Sequence, residues 1–247
     1  MSSAATRTAV LYRMATQEHL CPFGLKARDL LQRQGYAVED RTLTSREVVD
    51  RFKAEQGVKT TPQAFIDGKR VGGYDDLRRF FGKPVPDPKA TTYAPVVAVF
   101  GMAALMALAA SWTAFGELLT VRAGEWFIGF SMCILALLKL QDIERFSTMF
   151  LGYDLLARRV VRYGRVYPFA EALAGVLMVA GALLWIAIPV ALFIGTVGAV
   201  SVFKAVYLDR RELKCACVGG GSNVPLGFVS LTENVMMVAM ALWMLLR

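Results

Sequence analysis

From Ala94 onward the chain contains stretches that have no counterpart in a water-soluble core. Residues 94–116 run for 23 positions without an ionisable side chain, and residues 172–203 for 32. About 20 apolar residues match a hydrocarbon layer about 30 Å thick, and inside that layer each backbone N–H and C=O must be satisfied within the segment. The second half is therefore restricted to membrane-spanning helices. Hydrophobic residues make up 55% of the chain, with a mean hydropathy of +0.44, more than soluble globular chains carry. The excess lies in the second half, because residues 1–90 are mixed and charged.

The apolar runs predict an all-α polytopic bundle of about five transmembrane helices. Residues 94–116 form the first. The 13 residues 126–138 form the second, extended through Gly124 and a snorkelling Lys139. The run 172–203 is too long for one span, so a turn near Ala187-Ile188-Pro189 should divide it into helices at about 167–187 and 189–207. Residues 224–246 make a fifth helix carrying Glu233 and Asn234; four spans result if this polar stretch does not insert.

The net charge of +8 raises the question of nucleic acid, but no nucleic-acid motif is present and the basic residues sit between apolar runs. With five spans, one side carries Arg145, Arg158, Arg159, Arg162, Arg165, Lys204, Arg210, Arg211 and Lys214, while the other has Arg122 and Arg247. Nine against two predicts, by the positive-inside tendency, that the N-terminal head and the loop 204–223 are cytoplasmic. The first twenty residues show no apolar signal-peptide core. A multi-pass protein of the cell inner (plasma) membrane is expected.

In the head, residues 8–14 and 36–43 read as strands, 22–35 and 45–57 as helices, 63–73 as a hairpin around Asp67-Gly68, and 74–82 as a last helix. The order β-α-β-α-β-β-α suggests a small α/β sandwich. Cys21 precedes Pro22, which suits the first helical position. Unsatisfied N–H groups and the macrodipole at a helix N-terminus favour thiolate over thiol, and a buried structural cysteine is the competing reading. His19, the only histidine, lies two residues away and could add positive charge; an exposed loop histidine is the commoner case.

The segment Cys21-Pro22-Phe23-Gly24, followed by residues 60–77 with Thr61-Pro62 and Gly72-Gly73-Tyr74-Asp75, resembles the glutaredoxin family over residues 7–83. The resemblance implies a thioredoxin-like fold, Cys21 as nucleophile, Pro62 as a cis proline, and Thr61, Tyr74 and Asp75 as glutathione-holding residues. It suggests Arg13 and Lys26 for the glutathione carboxylates. Gly24 stands where a second thiol would resolve a disulfide, so a redox cycle would run through glutathione or a distant cysteine. Ligand binding alone, or bridging of an iron–sulfur cluster, competes with thiol exchange. The expected domains are 1–84, a proline-rich linker at 85–93 acting as a semi-rigid spacer, and a membrane domain at 94–247.

Cys215 and Cys217 are separated by one residue, which makes for a strained and readily reduced disulfide ring. Lys214, Arg210 and Arg211 favour thiolates there, whereas a metal-thiolate site would lack further ligands, making metal the weaker reading. Residues 139–157, 168–175 and 215–220, ahead of a last apolar helix, resemble the MauE-type redox-associated membrane family, related to DoxX-like proteins, over about residues 95–247. That resemblance implies a link to disulfide formation or maturation of a client protein. Lys139, Asp142, Glu171, Glu233 and Asn234 lie in or near the spans. Glu171 and Glu233 would relay protons or line a cofactor site, or else anchor helix ends and hydrogen-bond between helices. Cys133 reads as inert packing.

These features together predict a membrane thiol–disulfide oxidoreductase in which Cys21, Cys215 and Cys217 are catalytic, glutathione is the thiol cofactor, and a lipid quinone is a further electron partner. A metal-binding assembly factor and a transporter of small thiols or metal are the alternatives. The partners expected are glutathione, the lipid bilayer and a client protein, with no nucleic acid.

Overall fold

The computed structural model describes residues 7–16, 19–87, 90–216 and 223–247. The chain divides into two compact units, Met1–Pro88 and Lys89–Arg247.

The first unit is organised by strand β1 (Thr8–Met14), whose side chains alternate between two apolar layers. Ala9 and Leu11 pack with Ala27 and Leu31 of α1 (Pro22–Arg33) and Leu77 of α3 (Tyr74–Phe80). Tyr12 and Met14 pack with Val49 and Phe52 of α2 (Arg46–Gln56), and the rings of Tyr12 and Phe52 stack at 4.6 Å. The sheet order is β2 (Ala37–Leu43), β1, β3 (Gln63–Ile66), β4 (Lys69–Gly72). β1 and β2 are parallel, and β3 is antiparallel to both β1 and β4. The expected element order and thioredoxin-like fold are thus observed.

Local chemistry sets the boundaries of these elements. Asp67 and Gly68 turn the β3–β4 hairpin at φ of 50° and 75°, the backbone that Asp-Gly favours between twisted strands. Ser45 caps α2, its hydroxyl accepting from the Val48 N–H at 3.3 Å. Glu47, in the same turn, titrates below the ordinary carboxylate range because the Ser45 hydroxyl hydrogen-bonds it.

In the second unit five helices have bundle length: α4 (Ala94–Phe115), α5 (Val121–Leu140), α7 (Val161–Ala180), α8 (Leu184–Phe203) and α9 (Phe228–Leu246). The short α6 (Ile143–Leu151) lies between α5 and α7. Four segments among the described residues, 94–115, 121–140, 184–208 and 228–246, are long and apolar enough to cross a membrane. The segment that falls short is α7, where Arg162, Arg165 and Glu171 dilute the apolar content, rather than α9 with its Glu233 and Asn234. At the other end α7 reaches as far as its neighbours. The indole of Trp126 and the guanidinium of Arg122, in the first turns of α5, both donate to the Val179 carbonyl. Glu125 on α5 accepts from Trp243 and Arg247 at the end of α9.

Two sequence expectations are corrected here. The turn that divides the long apolar run falls at residues 181–183, not at Pro189. Gly181, at φ 65°, closes α7, with its N–H reaching the carbonyls of Leu177 and Met178. Pro189 sits inside α8, past its first turn, where it removes one i→i−4 hydrogen bond, and the helix nevertheless continues to Phe203. Lys139 does not snorkel to the surface; it is 1% exposed and turned into the bundle towards two carboxylates.

Ser45→Ala removes the α2 cap, a change that costs about 1 kcal/mol. Hydrogen exchange on the full-length protein should show the α2 amides opening about fivefold more readily, with those of α1 unchanged.

Candidate functional site

Cys21 is the N-cap of α1, with φ −64° and ψ 114°. Its N–H donates to the Met14 carbonyl at 3.2 Å, which ties it to the end of β1, and its carbonyl accepts from Leu25. Pro22 stands at the first helical position, where a missing N–H costs nothing. The cysteine is 8% exposed.

Thr61 and Pro62, joined by a cis peptide bond, lead directly into β3. The β1–β3 register pairs Tyr12 with Gln63, so this dipeptide lies at the end of the sheet from which Cys21 emerges. Tyr74 opens α3, and its ring lies 6.4 Å from that of Phe23, bringing the starts of α1 and α3 together. Asp76 caps α3 by accepting from the Gly73 N–H at 3.0 Å, which leaves Asp75 exposed. The structure therefore gathers Cys21, Thr61, Pro62, Tyr74 and Asp75 along one edge. Lys26 is exposed on α1, its ammonium 5.6 Å from the centre of the Phe23 ring. His19 is exposed, and its backbone N–H takes the Thr16 hydroxyl as acceptor.

The sequence did not anticipate the role of Arg13. It is buried, and Nε and Nη2 each donate to Asp40 at 2.8 Å, with Arg28 3.3 Å from the same carboxylate. Its Nη1 has no hydrogen-bond partner among the described residues. A Cβ placed on Gly24 would stand 2.7 Å from the Arg13 Cβ, a contact that no side-chain rotation relieves. Gly24 is thus the residue that lets α1 lie against Arg13, besides being the place of a missing thiol. The signal available beforehand was an arginine at an inward-alternating position of a strand, which requires a buried acid.

In the second unit Cys215 is fully buried, packed with Val99, Leu135 and Val224. Its segment is held by a short antiparallel bridge: the Cys215 N–H donates to the Val224 carbonyl at 2.8 Å, and Leu226 to Leu213 at 2.7 Å. Its sulfur lies 3.1 Å from the Ser230 hydroxyl on α9. Cys217, expected to act with it, lies outside the described residues. Cys133 is half-buried on α5, and a Cβ on Gly175 of α7 would meet its sulfur at 3.0 Å.

Three helices meet at Lys139. Its ammonium donates to both oxygens of Glu171 on α7, at 2.7 and 2.6 Å, and to Oε1 of Glu233 on α9 at 2.7 Å. The Tyr167 ring lies 5.3 Å from the same ammonium. Asn234 donates to the Ser230 carbonyl at 2.7 Å and fills the space that Gly198 leaves open on α8, where any Cβ would overlap its side-chain oxygen. Asp142 lies apart from this group and caps α6 through the Arg145 N–H.

Residues 117–247, more than half of the chain, match the family model described as methylamine utilisation protein MauE. The chain belongs to the MauE family. Ahead of this MauE domain, residues 9–71 match the glutaredoxin family model, so the membrane helices follow a glutaredoxin domain. Among curated proteins, glutaredoxin 1 of Rickettsia prowazekii is 35% identical over 80 residues, 31% of this chain and 80% of that protein. Glutaredoxin 1 of Rickettsia conorii is 36% identical over 80 residues, covering 74% of its length. A hybrid peroxiredoxin, hyPrx5, of Haemophilus influenzae is 41% identical over 61 residues, and the match spans 25% of each chain.

Two substitutions probe these arrangements. Gly24→Ala overpacks the contact with Arg13, costing about 1–3 kcal/mol, and should lower the head's unfolding midpoint in the full-length protein by about 5 °C or more. Lys139→Met strips the cation from two buried carboxylates. A loss of about 3–5 kcal/mol is expected, seen as early thermal unfolding of the purified MauE-family chain in detergent.

Proposed function

We propose that the chain is a membrane-anchored, glutathione-dependent thiol–disulfide oxidoreductase that passes electrons between glutathione, Cys21 and the Cys215/Cys217 pair. The observation that carries this reading is the placement of a single thiol, Cys21, at the start of α1 in a glutaredoxin domain, on the same edge as Thr61, Pro62, Tyr74 and Asp75. Thr61 and Pro62 would offer backbone groups to an extended glutathione, and the Asp75 carboxylate would accept from the glutathione amino group. The glutathione carboxylates would fall to Lys26, with Arg13, buried against Asp40, contributing its charge from behind.

The chemistry is two successive exchanges. The Cys21 thiolate attacks the glutathione sulfur of a mixed disulfide, forming a Cys21–glutathione disulfide and releasing the client thiolate. A second glutathione thiolate then attacks that disulfide, giving oxidised glutathione and restoring the Cys21 thiolate. One disulfide is consumed and one produced, with a proton taken up by the client thiolate and one given up by the incoming thiol.

For the distant pair, a Cys215–Cys217 disulfide plus two glutathione molecules gives the dithiol plus oxidised glutathione. Cys215 is fully buried, so attack falls to Cys217 and Cys215 is the resolving sulfur. A client protein or a lipid quinone is the membrane-side partner in this reading. The excess of basic residues at one end of the bundle supports an inner-membrane protein whose head and 204–223 loop face the cytoplasm.

Cys21→Ser in membranes or detergent should reduce glutathione-dependent turnover of a small mixed disulfide to the uncatalysed rate. Cys215→Ser treated with oxidised glutathione should accumulate a Cys21–Cys217 disulfide, detectable by mass spectrometry of tryptic peptides. Turnover that survives Cys21→Ser excludes the head as the catalyst. Failure to trap the Cys21–Cys217 bond excludes the relay alone.

A further inference from the structure

The cluster of Lys139, Glu171 and Glu233 has an unbalanced charge count. Two carboxylates face one ammonium, all three nearly or fully buried inside the helical bundle. Fully ionised, the cluster would hold one uncompensated negative charge, a state a low-dielectric interior strongly disfavours. Among the described residues, the groups facing it supply no second cation. On α5 the nearest other titratable side chain is Cys133; on α7 they are Tyr163 and Tyr167; after α6 they are Tyr153 and Asp154. Among the described residues α8 contributes Gly198, Ser201 and Val202, and α9 adds Asn234. One proton restores neutrality.

Geometry identifies the atom able to receive that proton. Glu171 uses both oxygens on Lys139, whereas Oε2 of Glu233 is buried with no hydrogen-bond partner among the described residues. Glu233 lies three residues beyond Ser230 on α9, and residues at that spacing share a helix face. Ser230 in turn places its hydroxyl 3.1 Å from the Cys215 sulfur. Ser230, which touches the buried thiol, and Glu233 of the carboxyl pair are therefore one helical turn apart on the same polar stripe of α9, and Asn234 completes that stripe by bonding the Ser230 carbonyl.

We propose that Lys139, Glu171 and Glu233 form a proton-binding site in the membrane bundle that holds one proton at neutral pH and exchanges it with the Cys215 sulfur by way of Ser230. When Cys215 leaves a disulfide as a thiolate, the cluster gives its proton to that sulfur and becomes anionic. When the thiol re-enters a disulfide, the proton returns to the carboxyl pair. Electrons move only in the thiol exchange, and the cluster changes by one proton. The redox role of this transfer rests on the oxidoreductase reading above; the proton-binding site and its coupling to the thiol do not.

The test uses the full chain in lipid nanodiscs. Infrared spectra at neutral pH should show a protonated-carboxyl stretch that shifts in heavy water and disappears in both Glu233→Gln and Glu171→Gln. In a Cys21→Ser, Cys133→Ser, Cys217→Ser background, alkylation of Cys215 by N-ethylmaleimide is then followed against pH. At high pH the deprotonated cluster places a negative charge near the thiol and holds back thiolate formation. Glu233→Gln removes that charge, so the alkylation midpoint should fall by about one pH unit, a tenfold rate difference on its rising limb. Absence of a carboxyl stretch sensitive to these substitutions overturns the site, and an unmoved Cys215 midpoint overturns the coupling. Neither readout needs Cys21, so loss of the Cys21–Cys217 trap with both readouts intact would remove the relay and leave the proton site standing.

Discussion

The bundle is organised around one ammonium. Lys139 on α5 binds carboxylates from α7 and α9, so three helices far apart in sequence are fixed by a single charged group. In a bilayer the apolar faces of helices gain little from meeting one another, because lipid is equally apolar. Polar contacts and close packing must therefore specify which helices pair and in what register. An ion cluster of this kind is a weak source of net stability but a strong selector of arrangement, since any register that separates the three groups leaves a bare charge in hydrocarbon. It also explains why α7 tolerates Glu171 in its interior.

The head solves a different problem with similar means. Its two apolar layers lie on either side of a four-stranded sheet, and the strand that anchors them also carries a buried arginine. Asp40 neutralises Arg13, and Gly24 supplies the clearance that lets α1 lie over it. The position of the thiol follows, because α1 begins where its first free backbone groups can be met by the end of β1, and Cys21 occupies that junction.

Much of this was legible in the residues. Strand alternation, the Asp-Gly turn, the Ser45 cap and Pro22 at the start of α1 are local signals, and local signals gave the head its element order. The uncharged runs gave the helices of the second unit. The turn between α7 and α8 was misplaced because a proline is a louder mark than a glycine, although α8 continues through it. Lys139 was misjudged because a lysine at the end of an apolar run ordinarily reaches outward. Only the partners on α7 and α9, 32 and 94 residues away, turn it inward, and one sequence does not show them. The contact between Gly24 and Arg13 was hidden for the same reason, being a matter of tenths of an ångström between a helix and a strand.

That contact bears on how such a head could change over generations. A two-thiol turn would seem one codon away from Cys21-Pro22-Phe23-Gly24. With Arg13 directly beneath, an added side chain at position 24 requires Arg13 to give way, which in turn strands Asp40 and disturbs Arg28. A self-resolving head therefore requires more than a thiol at position 24: Arg13 and its contacts with Asp40 must be rearranged as well. The single-thiol form of this turn is thus held in place by sterics, independently of any selection on its chemistry.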